Sequence, residues 1–471
     1  MEYAPGRTMN HTDFLGGRNA FDDPAHFDVP VIPLHEDVAA FPALVRNYAE
    51  TGLVQHKRYG FVFRARFPRP LLAFAHPRHL CRVLRSHVLN YPKSGDYTFL
   101  RPLLGNGIFV SDGDFWARQR RLLSPEFRPN AVQRFLPVII ESVESILAAW
   151  SQSAARGEAR DISDDMLRLT LWGVGGALFK RDFRAEAEQI GRSLELCLEQ
   201  ATTQMLSVGL LKPWMPTPGN LRAREGEARL NAIVGDVIAR RRAQPGDGDI
   251  ISRLLVAKDE ETGGVMTEAQ IVDEVKSLIL AGHETTSLAL SWAFYLLSRH
   301  PEAAARLTDE VTRVLGGRPP APEHLEQLVY TRAVFFEAMR LYPPVPGVSR
   351  IAREDDAFDG IVVKRGELVG LSIYATHRHP ELWSRPDAFE PERFLEANVG
   401  RIEPYSYIPF LVGRRVCLGE HFAIMEGVAA LAMMVDRFRL ERVDDGVIGT
   451  RAISTLRLAR PLRMRPQPRA S

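Results

Sequence analysis

Cys417 stands in a glycine-punctuated loop directly ahead of an apolar stretch with helical character. Phe410, Gly413, Arg415 and Gly419 surround it in the spacing F-x-x-G-x-R-x-C-x-G. Glycine permits turns and close approaches that a side chain would block, and the N-terminus of a helix favours a thiolate over a thiol. Arg415 suits an anionic group held beside the sulfur. The spacing predicts a functional thiolate in place of the alternative, a buried structural cysteine.

A second group of reactive residues lies inside the long apolar segment 277–298, where Ala281 and Gly282 are followed by Glu284 and Thr285. Glycine inside a helix costs about 1 kcal/mol of helix stability relative to alanine, so we expect Gly282 to have a structural or functional role. Ala281 and Gly282 remove side-chain bulk at one spot, which allows a flat cofactor to lie against the backbone. Thr285 can donate a hydrogen bond to the carbonyl of Ala281. A membrane span is disfavoured because a carboxylate deep in lipid costs several kcal/mol, so we expect a helix through a protein core.

Glu337 and Arg340 form a third candidate group, in an apolar segment that Pro343 and Pro344 terminate. Residues i and i+3 share one face of a helix, so the two charges are placed to pair. A pair on the surface would contribute about 0–1 kcal/mol. The apolar neighbours predict burial instead, and a buried pair needs further partners because desolvation costs several kcal/mol per ion.

The cysteine motif resembles that of the cytochrome P450 family, and the other motifs of that family are present upstream of it in the expected order. The resemblance implies that Cys417 ligates the iron of haem b. It also implies a catalytic role for Glu284 and Thr285, because the small-small-x-acid-Thr pattern is similar to the family's proton-relay motif for oxygen activation. Further cofactor-binding positions implied by the motifs are Ala281, Gly282, Phe410, Gly413, Arg415 and Gly419.

Several arginines match other positions of the same family. Trp116 and Arg120 form a W-x-x-x-R motif similar to the one that binds a haem propionate, and Arg350 matches another propionate-binding position. Together with Arg415, the resemblance implies that three cations bind two carboxylates. Arg393 resembles the family's second arginine motif, and this implies a structural network with Glu337 and Arg340 that holds the cysteine loop.

The fold class expected from periodicity is mainly α with small peripheral β-sheets. Residues 1–40 are expected to be irregular, and residues 41–471 to form a single cytochrome P450 catalytic domain, with haem between the central long helix and the cysteine loop. Strands are predicted at 59–67 and 71–74, within Val54–Phe74, and at 357–363, 368–374 and 456–461. Helices are predicted at 77–85, 113–123, 131–152, 166–179, 185–205, 221–243, 268–298, 301–315 and 325–341.

The composition excludes some functions. The net charge of +2 gives no sign of nucleic-acid binding, and three cysteines are too few for a disulfide framework. Residues 1–50 contain neither a signal peptide nor a membrane anchor pattern. We therefore expect a monomeric protein of a bacterial cytoplasm.

The resemblance implies a haem-thiolate monooxygenase that inserts one oxygen atom from O2 into a lipophilic molecule such as a fatty acid, a terpenoid or a polyketide. The chain continues for only 54 residues after Cys417 (471 minus 417), so we expect electrons from a separate ferredoxin and ferredoxin reductase. Alternatives are a peroxide-driven or non-oxygenating haem-thiolate enzyme, or a haem-based sensor. The implied substrate pocket is lined by 97–110, 204–211, Leu278, Ala281, 345–348 and 455–456. A basic patch for the ferredoxin is predicted from Arg118, Arg121, Arg128 and Arg414.

Overall fold

The computed structural model describes residues 10–15, 21, 23, 25–207, 210–243, 249–452 and 454–469. Helices dominate it, which confirms the expected mainly α architecture with small sheets. The helices of the first half of the chain are α1 (Leu34–Arg46), α2 (Tyr48–Tyr59), α3 (Pro77–Cys81), α4 (Arg101–Leu104), α5 (Gly113–Leu123), α6 (Pro129–Val132), α7 (Leu136–Ala155), α8 (Ile162–Phe179) and α9 (Ala187–Leu206). Those of the second half are α10 (Pro218–Ala243), α11 (Ile250–Val256), α12 (Glu268–Arg299), α13 (Pro301–Leu315), α14 (Pro322–Gln327), α15 (Val329–Leu341), α16 (Ile373–Thr376), α17 (Glu396–Val399) and α18 (Glu420–Arg437).

The strands are short. They are β1 (Val62–Ala65), β2 (Leu71–Phe74), β3 (Arg160–Asp161), β4 (Gly347–Ile351), β5 (Asp356–Phe358), β6 (Ile361–Val363), β7 (Leu368–Ser372), β8 (Phe438–Arg442), β9 (Thr450–Ala452), β10 (Leu456–Leu458) and β11 (Arg463–Pro468). No helix among the described residues combines the length and the apolar character needed to cross a lipid bilayer.

The chain divides into two compact units. Unit one contains Met1–Ser94, Leu288–Cys417 and Leu431–Ser471, and unit two contains Gly95–Ser287 and Leu418–Ala430. The boundary falls inside α12 and inside α18. The single catalytic domain expected for residues 41–471 stays a prediction.

Unit one is built around a four-stranded sheet in the order β1-β2-β7-β4. Strand β2 is antiparallel to β1 and parallel to β7, and β4 is antiparallel to β7. Apolar side chains from these strands form a buried core with α2 and α3, and this core includes Tyr405, Ile408 and Val412. The segment that leads to Cys417 is therefore anchored in the main core of unit one.

Unit two is helical, with α7 packed on α8 and α9 packed on α10. Asp165 of α8 fixes one of these contacts, because its carboxylate accepts a hydrogen bond from Trp150 Nε1 of α7 at 2.8 Å. Arg160 binds the same carboxylate at 2.8 and 2.5 Å. The buried polar contact orients α8, which in turn packs against the centre of α12.

Three expectations about secondary structure were wrong in detail. Residues 54–59, assigned to a strand-forming stretch, form the end of α2. The single strand expected at 357–363 is a hairpin of β5 and β6, and Asp359 and Gly360 at its tip have φ values of 51° and 80°. An Asp-Gly pair of this conformation makes a two-residue hairpin turn. In addition, α1 already begins at Leu34, inside the segment expected to be irregular.

Candidate active site

The cysteine loop of unit one is held in a conformation that requires glycine. Gly413 has a φ of 75°, and a Cβ there would lie 2.5 Å from the carbonyl oxygen of Leu84 and 2.9 Å from Cα of Arg85. No side chain fits this contact. The backbone amide of Cys417 donates to the carbonyl of Phe410 at 2.8 Å. The loop is thus closed on itself and pressed against the 82–86 turn.

Cys417 is exposed, whereas Phe410 and Val412 of the same loop are buried. The other two cysteines differ in this respect. Burial raises the pKa of the Cys197 thiol to about 12 and also raises the pKa of Cys81. Of the three cysteines, Cys417 is the exposed one, whereas Cys81 is half-buried and Cys197 is buried.

A buried histidine supports the cysteine loop through a hydrogen bond to its backbone. The backbone amide of Ile408 donates to Nε2 of His377 at 2.9 Å, and the His377 ring stacks on Tyr407 with centroids 5.3 Å apart. Burial, with the neighbouring Arg340 charge, lowers the pKa of His377 to about 3. A neutral imidazole can accept this hydrogen bond, and a protonated one cannot. Local sequence patterns contain no signal for this role, because the two partners are 31 residues apart.

Glu337 and Arg340 form a fully buried ion pair on α15. The guanidinium donates Nε and Nη2 hydrogen bonds of 2.7 Å to the two carboxylate oxygens, and neither side chain has exposed surface. Arg340 also donates to the carbonyls of His377, Pro386 and Ala388 at 2.8, 2.7 and 2.9 Å. These bonds supply the additional partners that a desolvated pair requires.

Arg393 lies beside this pair. Its Nε atom is 3.6 Å from Glu337 Oε1, and its Nη2 atom pairs with Glu390. The backbone amide of Glu390 donates to Glu337 Oε1 at 2.9 Å. The arrangement connects α15 through Arg340 to His377, and through His377 to the backbone of the cysteine loop. The structural role of these three residues stays a prediction, and this chain of contacts supports it.

The two arginines of unit one that were assigned to haem propionates differ in environment. Arg350 lies on β4 with 1% of its surface exposed, and its Nη1 atom donates to the carbonyl of Ser349 at 2.8 Å. Arg415 is half-buried at the end of the 413–415 turn. A buried guanidinium is suited to an anionic ligand, because the desolvated cation gains most from a paired charge.

In unit two, the centre of α12 has one open face. Residues 274–280 are buried, whereas Ala281, Gly282 and Thr285 are half-buried. Thr285 Oγ1 donates to the carbonyl of Ala281 at 2.6 Å, as expected. Glu284 is buried. This half-buried side of α12 therefore carries one small residue, Ala281, and one hydroxyl group, that of Thr285.

The packing of α12 against α8 also explains why residue 282 is a glycine. A Cβ at Gly282 would lie 2.7 Å from Cγ2 of Val174, and Thr170 of α8 donates to the carbonyl of His283 at 2.7 Å. The missing side chain thus permits close contact between two helices. The role of Gly282 in cofactor binding stays a prediction.

Trp116 and Arg120 lie one turn apart on α5. Trp116 is buried and Arg120 is half-buried, so both side chains are on a packed face of the helix. At Gly419, before α18, an added Cβ would meet no atom of the described residues within 4 Å.

The loop ahead of α5 is bound to α12, which the sequence did not reveal. The backbone amides of Asn106 and Ile108 donate to Asp273 Oδ2 and Glu274 Oε2 at 2.8 and 3.0 Å. Both pairs are more than 160 residues apart in the chain, and local patterns carry no signal for such contacts.

Two other sequence predictions need correction. Arg121 is not free for a partner protein, because it forms an ion pair with Asp259 at 2.8 Å and another with Glu261 at 3.1 Å. Leu210 is 79% exposed and so is not an apolar wall of a closed pocket. The side chain of Leu206 and residues 208–209 lie outside the described residues.

The residues present fit a haem group on chemical grounds. Each unit by itself contains residues of the chemistry that a haem group needs. Unit one contains the exposed Cys417 and the buried Arg350. Unit two contains Ala281 on α12 and the half-buried Arg120 on α5. Thiolate ligation and arginine–carboxylate pairing are the interactions that such a group needs.

Comparisons with known proteins agree with this chemistry. The chain matches the family model described as cytochrome P450 over residues 52–461. Cyclooctatin synthase from Streptomyces melanosporofaciens is 37% identical over 406 residues, which cover 85% of this chain and 87% of that protein. Cyclooctat-9-en-7-ol 5-monooxygenase from the same organism is 32% identical, with 78% and 80% covered. The crystal structure of the cytochrome P450DA heme domain matches with a TM-score of 0.85 and 27% identity, covering 95% of this chain and 98% of that one.

Proposed function

Because this chain belongs to the cytochrome P450 family and is a monooxygenase with haem b as its cofactor, we propose that it hydroxylates or epoxidises a terpenoid, most simply one that already carries a hydroxyl group. The observation that carries the proposal is the exposed Cys417 in its constrained loop, combined with the names of the two relatives. One of these names describes an unsaturated alcohol that is oxidised at a further carbon.

The residues proposed to hold the haem have three different roles. Cys417 would supply the thiolate ligand, and the arginines would neutralise the propionates, from Arg350 and Arg415 in unit one and Arg120 in unit two. Ala281 and Gly282 would leave room for the ring. When bound, the haem supplies the activation of dioxygen and the transfer of one oxygen atom to the substrate, and a thiolate ligand promotes cleavage of the O–O bond.

Glu284 and Thr285 are proposed to deliver the protons that this reaction consumes. In the resting geometry the Thr285 hydroxyl hydrogen points to the carbonyl of Ala281. The lone pairs of Oγ1 remain available to accept a hydrogen bond at the open face of α12. Rotation about χ1 would release the hydroxyl as a donor, and Glu284 one residue earlier would restore its proton.

We expect Thr285→Ala and Glu284→Gln to keep haem but to lose proton delivery. NAD(P)H consumption should continue while product per NAD(P)H falls by about tenfold or more, in the range that general acid–base groups contribute. The missing electrons should appear as hydrogen peroxide or water. Thr286→Ala, at the buried neighbouring position, is the matched control and should couple normally. Normal coupling in both relay variants would refute the assignment.

Each unit, taken by itself, contributes apolar residues to the segments proposed to contact the substrate. Unit two contributes half-buried Ile108 and Met205 and the buried Leu278. In unit one the amide of Leu456 donates to the carbonyl of Pro344 at 2.9 Å, which places Leu456 beside the 345–348 turn. Apolar walls with few polar groups favour lipophilic ligands. Fatty acids and polyketides, which the sequence left open, rank below terpenoids because of the two relatives.

Electrons are proposed to come from a separate ferredoxin and its reductase, and the protein is proposed to act as a monomer. Arg128 and Arg414 are exposed and stay candidates for contacts with an acidic partner. A peroxide-driven enzyme would not need the proton relay, so the presence of Glu284 and Thr285 favours the oxygen-dependent reaction.

The decisive experiment is a spectral titration of the purified ferric protein with terpenoid alcohols, fatty acids and macrolides. A ligand that displaces water from the iron shifts the Soret band to shorter wavelength, and we expect this shift with terpenoid alcohols. The ligands that bind are then incubated with a ferredoxin system, with peroxide alone, and with neither. Product formed only with the ferredoxin system supports the proposal. Binding of small charged compounds alone, or turnover only with peroxide, would overturn it.

A further inference from the structure

The loop from Gly105 to Ile108 in unit two is attached to the N-terminal part of α12 by two carboxylates. Asp273 accepts a hydrogen bond from the amide of Asn106 at 2.8 Å, and Glu274 accepts one from the amide of Ile108 at 3.0 Å. Glu274 is completely buried, and Asp273 also pairs with Lys276 at 3.3 Å. Hydrogen bonds to a charged acceptor are stronger than neutral ones, particularly where water is excluded.

Glycines bring the loop backbone into direct contact with the helix. A Cβ at Gly105, where φ is 57°, would lie 2.0 Å from Asp273 Oδ1. At Gly107 it would lie 2.2 Å from Ser277 Oγ and 2.5 Å from the carbonyl oxygen of Asp273. Real Cβ atoms do not approach so closely, so the contact admits no larger residue at either position.

The same loop is tied to α5. Ser111 Oγ donates to Gln119 Oε1 at 2.7 Å, and Gln119 Nε2 donates to the carbonyl of Asn106 at 3.2 Å. Gln119 is almost fully buried. Asn106 is therefore bound on its amide side by α12 and on its carbonyl side by α5.

The contact made by Glu274 lies on the same face of α12 as Ala281 and Thr285. Glu274, Leu278, Ala281 and Thr285 follow one another at intervals of four, three and four residues, which places them on one side of a helix. Ile108 and Phe109, directly at the end of the attached loop, are half-buried. Their side chains begin at a backbone that the two carboxylates fix.

We propose that Asp273 and Glu274 are specificity-determining positioning residues: their carboxylates hold the 105–108 loop on α12 and so set the position of Ile108 and Phe109 beside the substrate. This inference rests on the proposed function. Neither carboxylate touches the reacting atoms. Weakening the attachment lets the loop move and changes which ligands fit, while the haem and its thiolate ligand stay in place.

Hydrogen–deuterium exchange of the haem-loaded protein tests the attachment without any substrate. The amide of Asn106 should exchange about fivefold faster in Asp273→Asn, and the amide of Ile108 should do so in Glu274→Gln. In each variant the amide loses a charged acceptor but keeps a neutral one. Gly107→Ala should raise exchange at both amides by about tenfold or more, through overpacking. Glu268→Gln is the matched control: it removes an acid from the exposed start of the same helix, where the acid pairs with Arg242, and should change neither amide. An unchanged CO-difference spectrum checks the fold of every variant.

The specificity step is tested with farnesol and geranylgeraniol as probes, by the dissociation constants from the Soret shift. The ratio of the two constants should change by about fivefold or more in Glu274→Gln and Gly107→Ala, and should be unchanged in Glu268→Gln. Unchanged exchange in the Asn and Gln variants overturns the attachment. Faster exchange with an unchanged ratio overturns the role in specificity. If neither alcohol binds the wild type, the proposed function fails, whereas the exchange experiment still decides whether the carboxylates hold the loop.

Discussion

Three cysteines with the same intrinsic chemistry differ in what surrounds their sulfur atoms. Cys197 is buried and donates to the carbonyl of Ala223 at 3.3 Å, and desolvation raises its pKa to about 12. Desolvation also raises the pKa of Cys81. Cys417 is exposed at the end of a loop whose backbone is fixed. Environment, and not residue type, therefore separates the candidate ligand from two inert thiols.

Replacement of Cys417 by alanine should abolish the red-shifted Soret band that the reduced, CO-bound protein shows when a thiolate ligates the iron. Removing the sulfur removes the ligand, and the loop offers no other thiol. Cys197→Ala is the control, because its sulfur is buried elsewhere, and it should retain the band. Retention of the band by Cys417→Ala would show that the iron has a different ligand.

The sequence signal for Cys417 is local, because the glycines and Arg415 lie within a few residues of it, and its role as the iron ligand stays a prediction. The sequence did not predict His377, whose partner Ile408 is 31 residues away. The same limit applies to the contact between Glu274 and the amide of Ile108. Contacts between distant segments depend on the tertiary fold, and hydrophobic periodicity contains no information about which side chains meet.

Helix α12 shows what hydrophobic periodicity can predict, and other elements show what it cannot predict. Its predicted range of 268–298 agrees within one residue with the structure, because a long buried helix has a strong apolar pattern. The hairpin of β5 and β6 was read as one strand, although its Asp-Gly pair is a turn signal. The explanation for Gly282 was also incomplete, since the neighbour that requires a small residue there is Val174 of α8.

Gly282→Ala should therefore destabilise the protein. Alanine favours the helix by about 1 kcal/mol, but overpacking against Val174 at 2.7 Å costs about 1–3 kcal/mol. Adding Val174→Ala removes the clashing methyl groups. In urea unfolding, the double variant should be more stable than the sum of the two single effects by at least about 1 kcal/mol. Simple additivity would show that the α8–α12 contact does not require the glycine.

Helix α15 depends on its buried ion pair in a different way. Arg340→Ala should remove the bidentate partner of the Glu337 carboxylate and the Arg340 donor to three backbone carbonyls, and should cost about 3–5 kcal/mol. The cysteine loop, which rests on His377, should then bind haem poorly. The measurement is the haem content after gel filtration together with the urea midpoint. Arg306→Ala is the control, because it removes an exposed arginine that pairs with Glu392; a similar loss of haem there would argue against a specific role for Arg340.

Stability as a function of pH is a property of the whole fold, and buried histidines determine much of it. Burial lowers the pKa of His56 and His76 to about 4 and that of His79 and His377 to about 3. All four belong to unit one. Unfolding would return each pKa to its ordinary value near 6.5. Below that pH the unfolded chain binds protons that the folded chain does not.

Acidification from about pH 6.5 to pH 5 should therefore lower the free energy of unfolding, by up to about 1.4 kcal/mol per pH unit for each histidine. Glu426 has the opposite effect, by one proton. Burial raises its pKa well above the ordinary value, so the folded protein keeps a proton on Glu426 that the unfolded chain releases. With four histidines and one glutamate, the net uptake on unfolding should rise from about one proton at pH 6.5 towards about three protons at pH 5. Urea unfolding of the haem-loaded protein across this range measures it. His377→Gln keeps an acceptor for Ile408 but cannot titrate, so its slope should be smaller by one proton, while the exposed-site variant His35→Gln should follow the wild type. Stability that stays constant or rises on acidification would show that these histidines are not held neutral in the folded protein.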